Sequence, residues 1–98
     1  MLRENNAKII KVGKIEDFKN KEKVTYQKLV VTLALQNGDI KQLVCYRNEV
    51  SKFDELKNFE SKKYKAGDFI DFEFMKSYFF NKPDILRDIY NHKPNEEK

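Results

Sequence analysis

Polar and apolar positions alternate most cleanly between Val24 and Gln36. Leu29, Val31, Leu33 and Leu35 fall on one side, and Tyr26, Lys28, Val30, Thr32 and Ala34 on the other. A period of two marks a half-buried strand. Asn37-Gly38 follows, a pair that tolerates positive φ at both positions and so predicts a two-residue hairpin turn. The return strand runs from Asp39 to Arg47, and placing Gln36 opposite Asp39 fixes every other pair. That register puts Leu35/Ile40, Leu33/Gln42, Val31/Val44 and Leu29/Tyr46 on an apolar face. It puts Ala34/Lys41, Thr32/Leu43, Val30/Cys45 and Lys28/Arg47 on a mixed one.

The hairpin is flanked by weaker patterns. Ile9, Ile10, Val12 and Ile15 stand among Lys8, Lys11 and Lys14, and their β-branching predicts a strand over 7–15 after a flexible segment 1–6. The polar run 16–23 reads as a loop. Val50, Phe53, Leu56 and Phe59 recur every three residues, one stripe of a short helix, with Ser51 and Asp54 as a capping pair at its start. Ala66-Gly67-Asp68 is a turn, after which Ile70, Phe72 and Phe74 alternate with Asp71, Glu73 and Met75. A second turn at 81–84 leads to 85–90, read as a strand because a hairpin partner precedes it and six residues make a poor helix. The tail 91–98 is too polar to pack and is expected to be disordered. Five strands with one short helix between the third and fourth is the element order of a five-stranded OB-fold barrel, here a single mainly β domain over 7–90.

Composition narrows the chemistry. A chain of 98 residues buries roughly two-thirds of its unfolded surface, enough for one modest core and too little for a large cofactor pocket besides. With 40% apolar and 37% charged residues, it reads as a water-soluble domain with a heavily charged exterior. No apolar run approaches the roughly 18 residues of a membrane span, and the opening residues lack the apolar stretch of a signal peptide. A cytoplasmic protein with no membrane partner is the expectation. The single cysteine, Cys45, offers no disulfide framework and no cysteine zinc site, and the single histidine, His92, lies in the polar tail. No cofactor and no metal are expected. The net charge of +4 is concentrated in residues 1–50, where ten Lys and Arg stand against six Asp and Glu; residues 51–98 balance at ten and ten. Such a bias suits a polyanionic partner. Eight Phe and five Tyr are more rings than so small a core is obliged to hold.

Two stretches carry a family likeness: Val24 to Arg47 with its Asn37-Gly38 turn, and Tyr64-Lys65-Ala66-Gly67-Asp68-Phe69-Ile70-Asp71-Phe72. The chain resembles small OB-fold single-stranded-DNA-binding proteins of phages and plasmids. A Lys-Ala-Gly-Asp-type turn entering the fourth strand is common in that fold. The hairpin from Phe69 to Tyr90, aromatic at its bend, is similar to the helix-destabilising proteins of filamentous phages, whereas the stripe from Val50 to Phe59 fits general OB domains better. The likeness is one of element pattern over about residues 7–90. It implies binding of single-stranded DNA during replication or recombination of a mobile element, without catalysis.

The residues themselves point the same way. The segment after the first strand carries Phe18, Lys19, Lys21 and Lys23, and the one after the fourth carries Tyr78, Phe79, Phe80 and Lys82. Single-strand binders need this mixture, because ammonium groups meet phosphates while rings stack on unpaired bases at roughly 1–3 kcal/mol per base. The mixed face adds Tyr26, Lys28, Lys41 and Arg47, and a guanidinium can also lie flat on a base. Tyr46 falls on the apolar face in the register above and is left out of the site. Phe79 and Phe80 are adjacent, so on a strand one of them must leave the core. Cys45 is read as structural. Asp71 and Glu73 share a strand face about 7 Å apart, read as a solvated anionic patch rather than an acid–base pair. Charge and stacking do not distinguish the sugar, so RNA stays open as a ligand. Continuous coating of a longer strand would need self-association, with a homodimer as one form. The rival reading is an OB-fold protein-interaction module, such as a phage-type inhibitor or replication adaptor, that uses the exposed aromatics and not the lysines.

Overall fold

The computed structural model describes residues 1–19, 21–48, 54, 56–78 and 81–91. They form β1 (Leu2–Val12), β2 (Glu16–Lys19), β3 (Thr25–Ala34), β4 (Ile40–Asn48), α1 (Lys57–Glu60), β5 (Phe69–Met75) and β6 (Asp84–Asn91). The molecule is mainly β, as its alternating patterns predict, and residues 85–90 are indeed a strand. Two points differ from the predicted order. Residues 16–19 pair antiparallel with β3, Glu16 opposite Lys28 and Phe18 opposite Tyr26. The helix therefore follows the fourth strand, not the third. A strand this polar holds only because it is a short edge with one ring stacked across it, a position that tolerates charge. The helix is also a single turn, with Leu56 and Phe59 buried beside it. Asp54 Oδ1 accepts the Lys57 N–H at 3.1 Å. Val50, Ser51 and Phe53 lie outside the described residues.

β1 pairs with both β3 and β5, β5 with β6, β6 with β4, and β4 with β3, so five strands close a ring. β5, β1, β3 and β4 stand in the spatial order of a Greek key, the fourth strand of the set returning to lie beside the first. β6 completes the ring by running parallel to β4, with Leu43 beside Asp84 and Val44 beside Ile85. β1 and β2 follow one another along one edge of β3: β1 pairs with Val31 to Ala34 and β2 with Thr25 to Lys28. Between them, the Gly13 N–H donates to the Val30 carbonyl at 2.9 Å, and a Cβ on Gly13 would sit 2.9 Å from that same oxygen. Only glycine lets the chain pass so close. β1 starts at Leu2, ahead of the predicted start at Ala7, because Leu2, Arg3 and Glu4 pair with Phe74, Glu73 and Phe72 of β5.

The core fills the ring. Ala7 and Ile9 of β1, Leu29, Val31 and Leu33 of β3, Ile70, Phe72 and Phe74 of β5 and Leu86 of β6 are all buried, and Leu56, Phe59 and Tyr64 pack onto the same cluster. The inward sides predicted for β3 and β5 are those observed. Among the described residues no helix is long and apolar enough to cross a membrane.

β4 departs from its predicted register. The Leu35 N–H donates to the Asp39 carbonyl at 2.7 Å, and the Gly38 N–H to the Leu35 carbonyl at 2.9 Å. Gly38 sits at φ 95° while Asn37 is not in the positive-φ region, so the turn is a three-residue loop closed by one left-handed glycine. Asn37 is held there by its own side chain, whose Oδ1 accepts the Asp39 N–H at 2.9 Å. The extra loop residue moves every pair by one: Ala34 faces Ile40, Lys28 faces Tyr46 and Gln27 faces Arg47. Since side chains alternate, the slip turns over the whole of β4. Leu43 and Cys45 are buried in the core. Lys41 and Arg47 share their side of the strand, and Tyr46, Val44, Gln42 and Ile40 take the outer one.

Candidate nucleic-acid interface

The outer face of β2, β3 and β4 gathers rings and a lysine. Phe18 stacks on its cross-strand partner Tyr26, with centroids 5.3 Å apart and planes at 18°. Tyr46 also stands tilted against Phe18, its centroid 6.1 Å away. Lys28 Nζ lies 5.3 Å from the Phe18 centroid, a cation–π contact that keeps the ammonium on this face. None of the three rings belongs to the core cluster. Burial pushes the Tyr46 phenol above its ordinary pKa of 10.0, so it stays protonated and can donate a hydrogen bond at neutral pH.

Next to the rings the surface sinks into a cleft of about 360 Å³. Its floor is apolar, made by Val30, Val44 and Ile85, and its rim carries Lys28, Tyr46, Tyr78 and Lys82. Val44 points outward yet is only 4% exposed, because the β5–β6 connection leans over it. Tyr78, on that connection, is 99% exposed, an unusual state for a large ring.

The residues singled out from the sequence separate into four groups. Phe18, Tyr26, Lys28, Tyr78 and Lys82 come together around this face and cleft. Lys19, Lys21 and Lys23 are exposed at the end of the β2–β3 hairpin that carries Phe18, and among the described residues neither they nor Lys28 form an ion pair. Phe79 and Phe80 lie outside the described residues.

Lys41 and Arg47 are corrected: both leave the predicted face, turned inward by the three-residue loop. Lys41 donates to Asp84 Oδ2 at 2.8 Å and lies over Phe74, 4.4 Å from its centroid. Arg47 donates to Asp54 at 2.9 Å through Nε, to Glu60 at 2.6 Å through Nη2 and to Gln27 at 3.1 Å through Nη1. The hydrogen bonds to Glu60 and Asp54 raise the guanidinium pKa further and hold Glu60 below its ordinary value. Both cations are committed within the protein, Lys41 to the β6 seam and Arg47 to the helix. Asp71 and Glu73 are paired as well, with Arg3 at 3.7 Å and 3.4 Å.

Tyr46 is the functional candidate that the sequence reading passes over, since a two-residue turn buries it. The signal was present in Leu43 and Cys45, an apolar pair that suits the core better than Val44 and Tyr46 do once a three-residue loop is considered. Among the described residues no three His, Cys, Asp or Glu side chains are gathered closely enough to hold a metal ion. Compared with protein-family models, with curated proteins and with solved structures, the chain finds no match.

Proposed function

We propose that this protein is an OB-fold domain that binds single-stranded DNA with little sequence preference, in replication or recombination of a phage or plasmid-type element. The fold part of the reading is supported by the closed five-strand ring, its Greek-key order and a helix that packs onto the core after β4. In that fold the ligand surface is the second and third long strands with the loops that flank them, and here those strands are β3 and β4. One observation carries the functional part: Phe18, Tyr26 and Tyr46 cluster outside the core, with Lys28 among them and Tyr78 close by.

The mechanism follows from the side chains. Lys19, Lys21, Lys23, Lys28 and Lys82 draw in the phosphates, releasing their counterions. Unpaired bases then stack on the exposed surfaces of the ring cluster and on Tyr78, and the apolar floor of the cleft takes part of a base or sugar. A duplex keeps its bases stacked on one another and offers none of their faces, so the same surface discriminates against it. No step is chemical. One such domain covers roughly 4–16 nucleotides, and longer stretches require several copies side by side, for which a homodimer is one arrangement.

The test is fluorescence anisotropy with a labelled 15-nucleotide oligo-dT, its matched duplex and oligo-rU. Tight, salt-sensitive binding to oligo-dT with weak duplex binding is expected, with log K falling against log[salt] at a slope near −3 for about four neutralised phosphates. Stronger binding to oligo-rU would move the assignment to RNA. Failure to bind any of the three would overturn it in favour of a protein partner for the exposed rings.

A further inference from the structure

A second cleft, of about 780 Å³, opens beside the aromatic one. Ser77, Lys82 and Pro83 line both, so the two adjoin, and together their linings follow the outer side of β4 from Tyr46 to Ile40. The six steps between them along the strand, at about 3.4 Å each, make that path roughly 20 Å long. Its two halves differ in chemistry. The first is walled by rings over an apolar floor. The second is bounded by Lys76, Lys82, Gln42 and Asn81, with Ile40 62% exposed as its one large apolar surface. Its single carboxylate, Asp84, is occupied by Lys41 and by the Ser77 N–H. The other charged side chains along it, Lys76 and Lys82, are both cations.

We propose that the single strand bound at the aromatic cleft continues into this second cleft, where Lys76 and Lys82 take the phosphates beyond the stacked bases and Ile40 meets a base or sugar. The inference rests on the single-stranded-DNA reading and adds the direction of the strand and a length dependence to it. An oligonucleotide long enough only for the aromatic cleft does not reach Lys76; a longer one does.

The experiment compares oligo-dT of 4 and of 12 nucleotides on the wild type, on Lys76→Ala and on Lys63→Ala, which removes the same charge outside both clefts. The expected result is that Lys76→Ala weakens the 12-mer about threefold or more and lowers its salt slope by about 0.7. The 4-mer is unchanged, and Lys63→Ala affects neither length beyond twofold. An equal effect of Lys76→Ala on both lengths, no effect on either, or the same length dependence in Lys63→Ala overturns the inference. Wild-type protein that binds neither oligonucleotide overturns the underlying reading instead. Circular dichroism of both variants, expected to match the wild type, excludes unfolding as the cause.

Discussion

Lys41 Nζ donates to Asp84 Oδ2 at 2.8 Å across the seam where β4 and β6 run parallel, and the other oxygen of that carboxylate accepts the Ser77 N–H, also at 2.8 Å. One side chain thus ties the start of β6 both to β4 and to the segment that carries Tyr78. Burial alone would push the Asp84 carboxyl up. The Lys41 hydrogen bond, the Ser77 N–H and the charges of Lys41 and Lys76 outweigh it and hold the pKa below the ordinary 3.8. A depressed carboxylate pKa stabilises the fold above the unfolded value, and that stabilisation is lost as pH falls through the folded one. Asp84→Asn should therefore cost about 1.5–3 kcal/mol near neutral pH, the range for a lost hydrogen bond to a charged group. The cost should shrink below pH 3.8. Thermal melts of both proteins across that range are the check, and a difference that does not depend on pH would rule the clasp out.

Arg47 is bonded to Asp54, Glu60 and Gln27 within the fold. It connects β4 to Asp54 and to Glu60 of α1, whose neighbours Leu56 and Phe59 close part of the core. Arg47→Ala is expected to lower the melting temperature while leaving oligo-dT affinity within twofold of the wild type. Arg47→Lys should not restore stability, because an ammonium cannot reach two carboxylates with the fork of a guanidinium. A large loss of DNA affinity without loss of stability would return Arg47 to the binding face.

On the proposed single-strand reading, Tyr46 supplies stacking and Lys28 supplies charge, and the two leave different signatures. Removing a ring that stacks on one base costs about 1–3 kcal/mol, so Tyr46→Ala should weaken oligo-dT binding about tenfold or more with little change in salt dependence. Lys28→Ala should lower the salt slope by about 0.7, the share of one phosphate on a single strand. Titrations at two or three salt concentrations separate these signatures.

Gly13 tests the junction between β1 and β2. Gly13→Ala places a methyl 2.9 Å from the Val30 carbonyl oxygen, a backbone atom that cannot swing aside. The variant should melt well below the wild type, and because the hairpin carrying Phe18 starts at this junction, its oligo-dT affinity should fall at temperatures where it is still folded. A variant as stable as the wild type would mean that the two segments separate more easily than the ring suggests.

The alternation in β3 and β5 was legible because one side of each strand is apolar: Leu29, Val31 and Leu33, and Ile70, Phe72 and Phe74, can lie only inward. β2 was not legible. Glu16, Asp17, Phe18 and Lys19 form a strand through pairing with β3, a tertiary cause that a polar run does not display. The face of β4 was not legible either, because it hangs on whether Asn37 joins Gly38 at positive φ. Both sides of β4 carry apolar residues, so alternation alone could not choose between them. Tyr26 and Lys28 were placed outward because they lie on β3, whose inward face is plain from its pattern, and Phe18 joins them only through the β2–β3 pairing. Lys41, Arg47 and Tyr46 were misplaced together, since one register error moves all three.

The account stands or falls on whether the outer face of β3 and β4 holds unpaired bases. The most direct measurement is anisotropy of labelled 15-nucleotide oligo-dT titrated in parallel with wild type, Tyr46→Ala and Arg47→Ala, with a matched duplex as the competitor. The account predicts that the wild type binds, that duplex competes poorly, and that Tyr46→Ala loses affinity about tenfold while Arg47→Ala does not. Wild-type binding that Tyr46→Ala leaves intact, or that duplex displaces as readily as free oligo-dT, would contradict it.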